Sequence, residues 1–180
     1  GGTAEIEITV RPRAIIEGET AMCINTEETY TLQGGYSGNW TLTGPGGTQT
    51  GTGNTFSNNF TVAGTYTLAI TGTTFCRPTQ LSIIVRPKEA TPTAILGPDT
   101  TCPGVPETYS VNNTVPGTVI GWDVVNGTIA GDTYGDEVTI TFGPTGPYII
   151  KVWRESNGEP NCISDQITRT ITLPVVNPVI

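Results

Sequence analysis

Gly64-Thr65-Tyr66-Thr67-Leu68-Ala69-Ile70-Thr71 is the stretch that decides the fold. Tyr66, Leu68 and Ile70 alternate with Thr67, Ala69 and Thr71. A period of two is the mark of a β-strand with one face buried. The same pattern returns at Gly146-Pro147-Tyr148-Ile149-Ile150 and runs on to Val152. Working outward from both strands exposes a repeat. Cys23, Tyr30, Trp40, Phe60, Tyr66 and Cys76 recur in the same order as Cys102, Tyr109, Trp122, Phe142, Tyr148 and Cys162. The steps from Cys to Tyr, from Trp to Phe and from Phe to Tyr are equal in the two halves. Only the Tyr-to-Trp and final Tyr-to-Cys gaps differ, which is where loops on a fixed scaffold change length. Duplicated units point to a serial array.

The repeat predicts an all-β chain of two tandem Greek-key β-sandwich modules, residues 13–87 and 94–175, joined by a linker at 88–93. In the first, Tyr30 and Leu32, Trp40 and Leu42, Phe56 and Phe60, Tyr66, Leu68 and Ile70, and Leu81, Ile83 and Val85 are the inward positions. In the second they are Tyr109 and Val111, Trp122 and Val124, Val138, Ile140 and Phe142, Tyr148, Ile150 and Val152, and Ile167, Ile171 and Leu173. Tyr66 and Tyr148 each follow a Gly closely and open a penultimate strand, the position from which a tyrosine hydroxyl pins a crossover loop. Residues 1–12 (GGTAEIEITVRP) end like 82–87 (SIIVRP), so they read as the last strand of a preceding module. Residues 176–180 read as the lead into a following one. Pro87 and Pro92 stiffen the linker.

Composition agrees with strands and turns. Gly (23) and Pro (14) are abundant and charged residues are only 13%. No window carries apolar residues at helical spacing for more than two turns. The net charge of −8 argues against a nucleic-acid binder, which needs a basic stripe, and against docking on anionic lipid. No apolar run approaches the length of a membrane span, so no membrane insertion is expected in this segment.

Four cysteines and no histidine allow three pairings. The repeat selects one bridge per module, Cys23–Cys76 and Cys102–Cys162, tying the edge of the first strand to the last loop or strand. Zinc is disfavoured because no C-x-x-C knuckle and no His is present. Disulfides imply an oxidising compartment outside the cytoplasm.

The order C-x6-Y…W…F-x5-Y…C, with G-T-Y-T-L and G-P-Y-I-I before the final Cys, resembles PKD-like and immunoglobulin-like repeats. Such repeats fill very large surface adhesins of Bacteroidota, gliding-motility adhesins among them. Gly121-Trp122-Asp123-Val124 with Asn126-Gly127 is similar to the Trp-centred strand and turn of PKD-like modules. The full W-D-F-G-D-G signature is absent, and Trp40 is followed by Thr41 rather than Asp. The resemblance implies export to the cell surface, serial arrays and adhesion or spacing without catalysis. Neighbouring repeats of the same chain and surface polysaccharide are the partners it implies. Some relatives are instead accessory domains of secreted glycan-degrading enzymes or carbohydrate-binding modules.

Without His, Ser-His-Asp and Cys-His nucleophiles are excluded. Glu27-Glu28 and Asp136-Glu137 are adjacent and in strands point to opposite faces, so neither forms an acid pair. No catalytic residue is assigned and no cofactor is expected. Calcium is the cation left open, with Asp99, Asp123, Asp132 and Asp136 as weak candidates for its oxygen ligands. No contiguous D-x-[DN]-x-[DN]-G loop supports it. Trp153 stands out. In the register that buries Tyr148, Ile150 and Val152, it points outward with Ile149 and Lys151, where it could stack on a sugar ring or a partner. The opposing reading is that Arg154 or the following loop covers it, or that a bulge returns it to the core. Tyr36, in a Gly-rich loop, is the second contact candidate.

Overall fold

In the computed structural model, residues 5, 6, 8, 10–72 and 75–172 are described. The chain divides into two units, Gly1–Pro87 and Lys88–Ile180. In the first, β1 (Ile16–Glu17), β3 (Thr26–Leu32) and β6 (Thr55–Phe60) form one sheet. The other sheet runs in the order β2 (Ala21–Cys23), β8 (Thr79–Arg86), β7 (Gly64–Thr71), β4 (Gly38–Gly44) and β5 (Gly47–Gly53). The deciding stretch is thus the middle strand, with Tyr66 opposite Ile83 and Ile70 opposite Trp40. Its Thr-rich face stays outside while Tyr66, Leu68 and Ile70 are buried. One cluster gathers these with Tyr30, Leu32, Trp40, Leu42, Phe56, Phe60, Ile83 and Val85, so two sheets share one interior.

The second unit has β9 (Ile95–Leu96), β10 (Pro106–Val111), β13 (Glu137–Phe142) and β12 (Gly127–Ala130) in one sheet. β11 (Thr118–Val125), β14 (Tyr148–Ser156) and β15 (Ile167–Ile171) form the other. Its own cluster holds Tyr109, Val111, Trp122, Val138, Ile140, Phe142, Tyr148, Ile150, Val152 and Ile171. Leu81, Val124 and Ile167 are only partly buried, and Leu173 lies outside the described residues.

The buried indoles and the corner tyrosines find equivalent partners in both units, whereas the Tyr30 hydroxyl donates to the Glu19 carbonyl and the Tyr109 hydroxyl has no hydrogen-bond partner among the described residues. Trp40 Nε1 donates to the Gly53 carbonyl at 3.1 Å and Trp122 Nε1 to the Gly135 carbonyl at 2.6 Å. Tyr66 and Tyr148 donate their hydroxyls to the carbonyls of Val62 and Gly143, both at 2.8 Å, closing the expected tyrosine corners. Across the sheets, Phe60 meets Tyr66 at 5.0 Å between ring centroids, and Phe142 meets Tyr148 at 5.2 Å. Glycine is required above the first aromatic of each unit. A Cβ on Gly18 would stand 2.5 Å from the Tyr30 ring, and one on Gly97 2.6 Å from the Tyr109 ring. Their φ of +151° and +137° also disfavour any side chain.

Two features depart from strict repetition. β5 stays hydrogen-bonded to β4 through the tight Gly44–Gly47 turn, whereas β12 joins β13 in the opposite sheet. The larger correction concerns the cysteines. Cys23 and Cys162 are disulfide-bonded, while Cys76 and Cys102 are free, exposed thiols. The expected bridges Cys23–Cys76 and Cys102–Cys162 therefore do not form. Strand length explains why. Cys23 lies opposite Arg86 at the end of β8, but Cys76 lies before β8 begins, with its N–H on the Pro12 carbonyl. An eight-residue strand spans about 23 Å, and disulfide Cα atoms must approach within about 7 Å. In the second unit Cys162 sits beside Ser156 at one end of β14. Thr101 and with it Cys102 lie beside Thr172, beyond Ile171, which pairs with Tyr148 at the other end of β14.

Candidate functional site

On the outward face of β14, Ile149, Lys151, Trp153 and Glu155 follow one another by strand alternation. The register read from sequence is the one observed: Tyr148, Ile150 and Val152 are buried and no bulge returns Trp153 to the core. Trp153 is half-covered rather than free. It lies opposite Gly121, whose missing side chain makes room for the indole: a Cβ there would stand 2.5 Å from the ring. Its Nε1 donates to Glu155 Oε1 at 2.5 Å.

Glu155 is the hub of this face. Asn161 Nδ2 donates to its Oε2 at 2.9 Å and the Tyr134 hydroxyl to its Oε1 at 3.4 Å. Tyr134 is brought there by the segment after β12, which pairs with the free edge of β11 through Trp122 N–H to Thr133 O and Gly135 N–H to Ile120 O. Burial by itself would raise the Glu155 pKa, but the hydrogen bonds from Trp153, Asn161 and Tyr134 outweigh it and hold the carboxyl below its ordinary value. Trp153, Glu155, Ile163, Ser164 and Gln166 line an open groove of about 380 Å³. Ile163 and Tyr134 present exposed apolar surface beside it. An aromatic face flanked by a carboxylate and amides is chemistry that suits a sugar hydroxyl array. It lacks a second carboxylate among its lining residues, which hydrolysis of a glycoside needs.

Beneath this face Arg154 is fully buried and points the other way. Its guanidinium donates to the carbonyls of Ala90, at 2.5 Å, and Asn113, and its backbone exchanges hydrogen bonds with Ser164. The guanidinium thus anchors the segment that leads into β9 and does not cover Trp153. A second open recess, about 410 Å³, is lined by residues 126–128 and 141–145 and holds no charged side chain.

The remaining candidates are dispersed. Tyr36 packs against the interior of its own unit and over Gly34. Asp99 is paired with Arg169 at 2.6 Å, and Asp123 with Lys151 at 2.8 Å. The hydrogen bond and charge of Lys151 hold the Asp123 carboxyl below its ordinary range. Asp132 accepts from the Tyr134 N–H at 3.0 Å, and the Asp136 carbonyl accepts from Val111. Among the described residues no group of three His, Cys, Asp or Glu side chains gathers to hold a metal. Sequence reasoning found Trp153 but missed Glu155, Tyr134 and Asn161. Parity along β14 puts Glu155 beside Trp153. Nothing in sequence brings Tyr134 there, because the pairing of its loop with β11 is long-range.

No family model and no curated protein matches the chain. Solved structures do resemble it. The human OSCAR ligand-binding domain aligns with 91% of this chain and 100% of its own at 13% identity and a TM-score of 0.36. Murine CEACAM1b aligns over 90% and 100% at 12% and 0.38. The FN1–FN3 domains of chicken CNTN1 align over 93% and 70% at 12% and 0.41. Identity and scores this low carry no argument about function. No helix among the described residues is long and apolar enough to cross a membrane.

Proposed function

We propose that this chain is a structural, spacer segment of a long secreted cell-surface adhesin, built of tandem modules that extend and present adhesive regions. One observation carries the reading: the Trp-to-carbonyl bond, the tyrosine corner and the glycine above the first aromatic recur in both units. Conserving a packing scheme while the outward residues diverge is what selection for a scaffold leaves behind. The sequence resemblance to repeats of Bacteroidota surface adhesins supplies the cellular setting. Export fits a chain with a disulfide. The segment is read as non-catalytic and without cofactor, and neighbouring repeats are its constant partners. Antibodies raised against the chain are expected to label intact, unpermeabilised cells, and protease shaving of those cells to release its peptides. Labelling only after lysis would sink the surface assignment.

A second reading has its own observation. The groove beside Trp153 offers an aromatic surface with Glu155 and Gln166 at its rim, as a carbohydrate-binding module would. Titration calorimetry with soluble plant and algal polysaccharides separates the two. Saturable heat lost in Trp153→Ala favours glycan binding; no heat with any of them leaves the spacer.

A further inference from the structure

Glu155 is a carboxylate only 9% exposed, and no cation offsets it. The second unit holds four cations, Lys88, Lys151, Arg154 and Arg169. Lys88 pairs with Asp165, Lys151 with Asp123 and Arg169 with Asp99. Arg154 spends its guanidinium on the carbonyls of Ala90 and Asn113. In place of a counterion, Glu155 has three neutral donors: Trp153, Asn161 and Tyr134. Burial opposes its ionisation, but those hydrogen bonds prevail, so the charge persists at neutral pH. A carboxylate accepts about four hydrogen bonds, which leaves capacity for a further donor.

This charge borders the open groove. Residues 162–164 run back along the end of β14, with Glu155 opposite Ile163. That pairing sets Ile163 and Ser164 into the wall, with Gln166 beyond them. Trp153 lies against Gly121 and is tied to Glu155 through Nε1, so its indole is held in place before any ligand arrives. An aromatic surface beside an anion attracts a cation twice, through the ring quadrupole and through direct charge. A neutral sugar uses the ring and not the charge. A uronate or sulfate is repelled by it.

We propose that the groove is a site for a protonated amino sugar, whose pyranose face stacks on Trp153 and whose ammonium group pairs with Glu155. The proposal rests on the glycan-binding reading above and names the sugar. A bare alkylammonium, such as a lysine side chain, satisfies Glu155 but leaves Gln166 without a partner. An amino sugar brings an apolar ring face, hydroxyls for the Gln166 amide and the cation together. No bond is made or broken; the site holds and does not cut.

The test is calorimetric titration of the full chain with a β-1,4-linked glucosamine trimer and with its fully N-acetylated counterpart. A mildly acidic buffer keeps the sugar amine protonated and Glu155 ionised. The free-amine trimer is expected to bind about tenfold or more tighter, the worth of a charge-assisted hydrogen bond. Acetylation removes the charge on the ligand, so this comparison needs no variant to fold. Glu155→Gln should bring the two trimers to within about twofold of each other. Glu137→Gln, which removes an equal charge from an exposed position on the opposite sheet, should leave the ratio intact. Equal binding of both trimers, or tighter binding of the acetylated one, overturns the amino-sugar assignment and leaves the glycan reading standing. A lysine tripeptide that binds as tightly as the free-amine trimer also overturns it, since the groove would then read charge without sugar. No heat with either trimer or with any polysaccharide removes the glycan reading and this proposal together.

Discussion

Tyr66 and Tyr148 show how one hydroxyl can be worth more than its surroundings suggest. Each donates to a carbonyl in the loop that precedes its strand. Tyr66→Phe and Tyr148→Phe should each destabilise by about 1–3 kcal/mol, because a partly buried carbonyl loses its donor. Urea denaturation checks this, and an unchanged midpoint in both variants would show that the corner is ornamental. Glu155 supplies a pH signature. Its folded pKa is held below the ordinary 4.5, so its contribution is full above that value and fades as pH falls through the lowered one. The stability difference between wild type and Glu155→Gln should therefore shrink on acidification below pH 4.5; a gap that widens there would contradict the hydrogen-bond account. The corner tyrosines were legible from sequence because a Gly just before a Tyr at a strand start is a local signal. Glu155 was not, since its donors come from distant loops.

Strand alternation read most of the elements correctly, and β14 is the clearest case. Its inward and outward residues were assigned from period alone, and the observed register pairs Trp153 with Gly121. That pairing makes a prediction proper to the element. Gly121→Ala puts a methyl within the indole, which must swing out or push β11 from β14; a cost of about 1–3 kcal/mol is expected from overpacking. Tryptophan fluorescence should shift to the red as the ring becomes wetter, and an unaltered spectrum with unaltered stability would deny the contact. What alternation could not read is which sheet an edge strand joins. β5 and β12 each follow the strand that carries the buried Trp, but β5 keeps to β4 while β12 crosses to β13. The choice depends on the competing partner, not on either strand's own pattern. The pairing of cysteines failed for the same reason: spacing along the chain says nothing about which end of a strand a residue reaches.

At the largest scale, the decisive property is that, among the described residues, the aromatics of the hydrophobic interior fall into two clusters. Phe60 belongs to one and Phe142 to the other, and each is essentially inaccessible to water. Truncating a buried Phe to Ala typically costs about 3–5 kcal/mol through lost transfer energy and the cavity left behind. If each cluster is a cooperative unit in its own right, the damage must stay local. Calorimetry of the chain under reducing conditions should then resolve two unfolding transitions. Phe60→Ala should lower or abolish one and leave the other in place, and Phe142→Ala should do the reverse. For units of this size a loss of about 3 kcal/mol lowers the melting temperature by well over about 10 °C, far beyond the scatter between preparations. Should both transitions move together in either variant, the interior would be one energetic body, and a scaffold of separable modules could not be built from it.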